Sequence, residues 1–235
     1  MRKVLSVLLW VCLVTVVVYA AMAVASRVDE DGAGSSATVT SPAQSHTAGR
    51  QLVAFTTHFL DADQPAITNT AGDSWSLAGT ITSANVNYWA FYTCSTIGHA
   101  TDQVTATYAG AQILTHISVY ELSGGATSSC LDDVDTASGN STDVATPSLT
   151  VTNGDSIIIL FAVCDGTGFT AFDGNWTTPT VLGGFFADSS RSSAASTAAV
   201  MTCGTGPWVA IAVAMKAPAA GGGSHDPTGL LGVIR

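Results

Sequence analysis

GDSIIILFAVC, Gly154–Cys164, is the stretch whose reading decides the fold class. A turn dipeptide leads into a nearly unbroken run of β-branched and apolar residues, the pattern of a strand buried on both faces. Further upstream, GRQLVAFTTHF at Gly49–Phe59 reads the same way. Each is followed by a Gly/Asp/Asn turn carrying a tryptophan, AGDSW at Ala71–Trp75 and DGNW at Asp173–Trp176. Each is closed by a long apolar strand, Ile113–Leu122 in the first case and Trp208–Lys216 in the second. The chain thus reads as two weakly similar β-rich halves.

Between these landmarks almost nothing has helical spacing. Asn87–Cys94 alternates Trp89 and Phe91 against Tyr88 and Tyr92, and Gln103–Tyr108 alternates Val104, Ala106 and Tyr108 against threonines. In the closing strand, Ile117, Val119 and Glu121 share one face, and Ser118, Tyr120 and Leu122 the other. Pro147–Val151 and Ser196–Cys203 supply further strands, and Gly/Asn/Asp turns punctuate the whole. The expectation is an all-β, antiparallel β-sandwich, jelly-roll-like, from two halves of about five strands each. A seven-stranded immunoglobulin-like sandwich is the alternative, and it would leave strands over.

Met1–Lys3 is a positive n-region, and no further charge occurs before Arg27. The apolar run Val4–Ala25 ends in Ala23-Val24-Ala25, a small-x-small pattern that predicts a signal peptide over residues 1–25, cut before Ser26. The run is also long enough for a retained N-terminal anchor, the only membrane contact expected. Both readings place the rest of the chain outside the cytoplasm, secreted or at the cell surface. With Arg2 and Lys3 removed, 5 basic residues face 17 acidic ones, a net charge of −12. Nucleic acid is excluded as a partner on that balance, because it demands clustered Lys and Arg.

In an oxidising compartment Cys94, Cys130, Cys164 and Cys203 form an even set, so two disulfides are expected. The four allow three connectivities, and the favoured one is Cys94–Cys130 with Cys164–Cys203. Ser26–Ala48 is polar, small and acidic, and is expected to be a flexible stalk. The domain is expected to run over residues 49–218. Residues 219–235 then form a Gly-rich linker and an apolar tail, in which Leu230, Leu231, Val233 and Ile234 are self-association candidates.

The turn at Gly72–Trp75, the aromatic strand Tyr88–Cys94, the Val104–Thr107 strand and the Glu121–Gly124 strand end come in a telling order. It resembles the secreted β-sandwich domains of uncharacterised microbial surface or adhesin proteins and phage-type structural proteins. Those domains follow a D-x-x-G-N/D-x-W/Y turn with a Tyr-rich strand, a V-T-V-T strand and a strand ending E-x-S-G. The resemblance spans roughly Gly49–Ala217. It implies a jelly-roll-like fold with an adhesive, glycan-binding or structural role, and no catalytic residues.

Few side chains suggest chemistry. Trp75, Trp89, Tyr92 and Trp176 are candidate ligand-binding residues, because sugar-binding sandwiches stack pyranose rings on exposed aromatics. Asp132, Asp133, Asp135 and Asp143 crowd the stretch Leu131–Asp143, read as a loop. Such oxygen-rich loops suit calcium, so a structural calcium ion is the one cofactor the sequence admits. Glu121 lacks the second carboxylate a glycosidase needs, and it reads as a structural acceptor for backbone groups, Arg50 or Arg191. His58, His99 and His116 have no sequence spacing to a nucleophile. The expected function is a non-catalytic extracellular surface protein, structural or adhesive, of filament, envelope or virion type. Its partners would be itself, other surface proteins or glycans. The alternatives are a carbohydrate-binding module and, behind it, a glycoside hydrolase.

Overall fold

The computed structural model describes residues 22–32, 35–59, 63–83, 86–145, 147–152, 156–164, 180–182, 186–192, 200–202 and 206–218, some of them by backbone alone. Trp176, Cys203, residues 1–21 and the tail with Leu230, Leu231, Val233 and Ile234 lie outside the described residues. All regular structure described is strand: β1 (Ala23–Asp31), β2 (Ser35–Thr40), β3 (Gln44–His46), β4 (Gln51–Phe59), β5 (Ala66–Asn69), β6 (Ser76–Ser83), β7 (Val86–Thr93) and β8 (His99–Asp102) come first. Then follow β9 (Val104–Ser123), β10 (Leu131–Asn140), β11 (Asp143–Ala145), β12 (Ile157–Cys164), β13 (Thr180–Leu182), β14 (Phe186–Ser192), β15 (Val200–Thr202) and β16 (Pro207–Met215).

Two antiparallel sheets pack face to face, and each is drawn from one half of the chain. The first has the order β1-β9-β4-β7-β6, with β2 and β5 also paired to β9, and the second has the order β10-β16-β12-β14-β13. Taken in chain order, the two sheets are wound alike. The first strand lies at an edge, the last beside it, the second next, then the fourth and the third. The likeness of the halves read from the sequence is therefore a likeness of topology.

The central strands behave as their apolar runs require. Every residue of β12 is buried, and so is each residue of Gln51–His58. Between the sheets, Val53, Phe55, Tyr88 and Tyr120 meet Ile159, Phe161, Val209, Ile211 and Met215. The rings of Phe55 and Phe161 stack at 5.4 Å with 9° between their planes. Gly79 of β6 lets the sheets close: a Cβ there would lie 2.8 Å from Val134. The outer faces are covered too. Ala54, Ile117 and Val119 pack with Val39, Val104, Ala106 and Tyr108, while Ile158, Leu160 and Ala162 pack with Val144 and Leu149.

Four expectations need correction. Pro147–Val151, read as a strand, has no regular structure. Ser26–Ala48 is not a stalk: β1 and β2 pair with β9, and β3 pairs with β8. Composition argued for disorder, but a polar strand can dock on an existing edge because backbone pairing is blind to side chain. Gln103–Tyr108 and Ile113–Leu122 are one strand, β9, whose first part pairs with β2 and β5 and whose second pairs with β1 and β4. The small run Ala109-Gly110-Ala111 lies where the register of β2 on β9 shifts. Leu131–Asn140, read as an acidic loop, is the strand β10, paired along β16.

Candidate functional site

The disulfide Cys94–Cys130 forms as expected. Cys94 follows β7 and Cys130 precedes β10, so the bridge ties sheet to sheet. Cys164, at the end of β12, is also disulfide-bonded.

The aromatic candidates part company. Trp89 is 2% exposed and stacks on His58 at 4.8 Å, and His58 meets Tyr108 edge-on at 4.7 Å. With His58 and then Tyr108 packed over it, the Trp89 ring offers no open face for a ligand to stack on. Tyr92 keeps partial exposure and packs against the inter-sheet core. Trp75 is half-buried against Val39, Val104 and their neighbours. Its indole Nε1 lies 3.5 Å from Asn69 Oδ1. That Asn69 oxygen also accepts the Asp73 backbone N–H at 2.8 Å, so Trp75 stands beside a fixed amide and carboxylate.

Behind Trp75 lies a node that the sequence did not mark. Asp102, fully enclosed, accepts from Asn69 Nδ2 at 2.6 Å and from the Ala71 backbone N–H at 3.0 Å, and pairs with His46 Nδ1 at 2.8 Å. Burial pushes its carboxyl up, but these bonds to His46, Asn69 and Ala71 outweigh it and hold the group below the ordinary carboxylate value. The node joins β3, β5, β8 and the AGDSW turn, segments whose contact no local spacing predicts.

A second relay joins β1 and β9 within the first sheet. His116 Nδ1 lies 2.7 Å from Asp31 Oδ1, and its Nε2 lies 2.9 Å from Ser118 Oγ. In the neutral imidazole, Nδ1–H donates to Asp31 and Nε2 accepts the Ser118 hydroxyl. That carboxylate–imidazole–hydroxyl order activates serines in hydrolases. Here Ser118 is 0% exposed, and Phe161 stacks on the His116 ring at 5.7 Å. An enclosed hydroxyl offers no approach to an acyl carbon, so the relay's visible effect is to satisfy polar groups inside the core.

Glu121 is 2% exposed and occupied: it accepts from the Thr47 backbone N–H at 2.7 Å and Ser26 Oγ at 3.0 Å, and pairs with Arg50 at 3.3 Å. Of the two arginines expected near it, Arg50 is the partner described.

The aspartates of β10 form a ladder. The backbone N–H groups of Ser148, Thr150 and Thr152 donate to Asp135 at 3.0 Å, Asp133 at 2.6 Å and Asp132 at 3.0 Å. Ser156 Oγ and the Thr152 hydroxyl also reach Asp132, and Lys216 lies 3.7 Å from it. A register shift between Leu131 and Asp133 turns neighbouring carboxylates toward one segment. Oxygens that face N–H donors are not a cation cage, and among the described residues no cluster of His, Cys, Asp or Glu is placed to hold a metal. Asp132, Asp133 and Asp135, the calcium candidates, thus have their carboxylates engaged by N–H and hydroxyl donors; of Asp143 only the backbone is described.

Comparison with family models, curated proteins and solved structures finds no match to this chain.

Proposed function

We propose that this is an exported, non-catalytic surface protein with a structural or adhesive role, working as a component of a filament, envelope or virion-type assembly. The observation that carries the reading is the Cys94–Cys130 bridge between the two sheets. A structural disulfide persists where thiols are not kept reduced, which supports a place outside the cytoplasm. The buried ionisable groups fit the same reading: Glu121, Asp102 and His116 join strands distant in sequence. The partners are other copies of the chain or neighbouring surface proteins. The test is the native mass of the exported protein by light scattering, with its cell fractionation. A defined oligomer or polymer in the extracellular fraction is expected; a monomer retained inside the cell would refute it.

One observation favours a second reading, a glycan-binding module. Trp75 keeps part of its surface exposed beside Asn69 and Asp73, an apolar ring next to polar groups of the kind that seats a pyranose. Loss of binding on a glycan array after Trp75→Ala, with unchanged thermal stability, would support it.

A further inference from the structure

The start of β1 bears on where the exported chain is processed, a question that rests on the export reading above. Met22 is 3% exposed and belongs to the core between the sheets. Val24 packs against the same core. Ala23 and Val24 sit opposite Ser123 and Leu122 in the antiparallel register, and Ser123 Oγ donates to the Ala23 carbonyl at 3.3 Å. Met22, just before β1, and Val24 within it therefore put their side chains into the sandwich, while Ala23 and Ala25 are exposed.

A cut before Ser26, at the small-x-small pattern Ala23-Val24-Ala25, would discard those residues. The strand Ser26–Asp31 would stay paired, but the core would lose Met22 and Val24, and cores tolerate such voids poorly. Sequence supplies an independent argument. A cleavable leader carries an apolar region of about 7–15 residues before its small-residue site. Val4–Ala25 overshoots that range, whereas Val4–Val17 fits within it and is followed by Val18-Tyr19-Ala20. A cut after Ala21 would instead place bulky Tyr19 at the position where a small residue is needed.

We infer that the leader peptidase cuts after Ala20, so that the mature protein begins at Ala21 and keeps Met22 and the first residues of β1, Ala23–Ala25. The peptidase recognises the leader and its small residues before folding. Core filling excludes a cut beyond Ala21, and the sequence then separates Ala20 from Ala21.

The test is N-terminal sequencing and intact mass of the full chain, expressed from its own Met1 in a host that exports it and collected outside the cells. An N-terminus at Ala21 is expected. Extracellular protein beginning at Val24 or Ser26, or still carrying Met1, would overturn the site while leaving export standing. A chain held inside the cell with Met1 intact would overturn the export reading itself. The variant Ala20→Leu replaces the small residue at the proposed bond and leaves Ala23-Val24-Ala25 untouched. It is expected to abolish the mature species and accumulate precursor; maturation at the wild-type rate with an unchanged N-terminus would refute the assignment.

Discussion

His116 of β9 holds Asp31 at the end of β1 through a 2.7 Å contact between Nδ1 and Oδ1. With Ser118 on its other nitrogen, the imidazole bridges an edge strand and the buried centre of the sheet. The contact fixes the end of a segment whose composition alone would have left it unfolded.

Ser118 is placed as a hydrogen-bond partner. A fluorophosphonate probe is expected to leave the native protein unlabelled, because the hydroxyl is enclosed beside the Phe161–His116 stack. Ser118→Ala is expected to cost about 1 kcal/mol in denaturant unfolding, the worth of one buried hydrogen bond. Labelling of Ser118 in the folded protein would show that the core opens and that the relay has chemistry to perform.

Acid is expected to unfold the protein through its engaged carboxylates. The hydrogen bond from His116 lowers the Asp31 carboxyl, and at Asp102 the bonds from His46, Asn69 and Ala71 outweigh the upward push of burial. A group lowered in the folded state stabilises it above the unfolded value and loses that contribution as pH falls through the folded one. The melting midpoint is therefore expected to drop below about pH 4. Asp102→Asn should flatten that drop and cost about 1–3 kcal/mol at pH 7, because one of the two accepting oxygens becomes a donor facing N–H groups and the other loses its charge. Equal acid sensitivity in both proteins would refute the assignment. Asp31 is largely exposed, so Asp31→Asn should cost under about 1 kcal/mol.

Reduction of the inter-sheet bridge should weaken the sandwich. Cys94 and Cys130 enclose a separation of 36 residues, and removing the bridge by a Cys94→Ala, Cys130→Ala double substitution is expected to cost about 2–4 kcal/mol. Peptide mapping without reductant should recover the Cys94–Cys130 linkage.

The two tryptophans of the first half should separate cleanly. Trp89→Ala empties an enclosed site against His58 and is expected to cost about 3–5 kcal/mol. Trp75→Ala removes a half-buried ring and should cost distinctly less. Equal losses in chemical denaturation would show that Trp75 is as much a core residue as Trp89.

Gly139 faces the Trp208 indole, and a Cβ there would lie 2.5 Å from its Cζ2. Gly139→Ala is expected to lower stability by about 1–3 kcal/mol, since a backbone and a rigid ring must move apart. An unchanged unfolding midpoint would mean that the β10–β16 edge yields freely.

Local pattern alone determined the all-β class, the doubly buried strands at Gln51–His58 and Ile157–Cys164, and the facing of Ile117 and Val119 against Tyr120 and Leu122. Each depends on periodicity or residue type within one element, and a strand's two-residue period survives whatever surrounds it. Only the tertiary structure decided that Ser26–Ala48 folds, that the β10 aspartates bind backbone N–H groups, that Trp89 is sealed, and that Asp31 reaches His116 or His46 reaches Asp102. Those outcomes depend on partners tens of residues away. A polar side chain's role is set by the group it meets, and no spacing along the chain encodes that meeting.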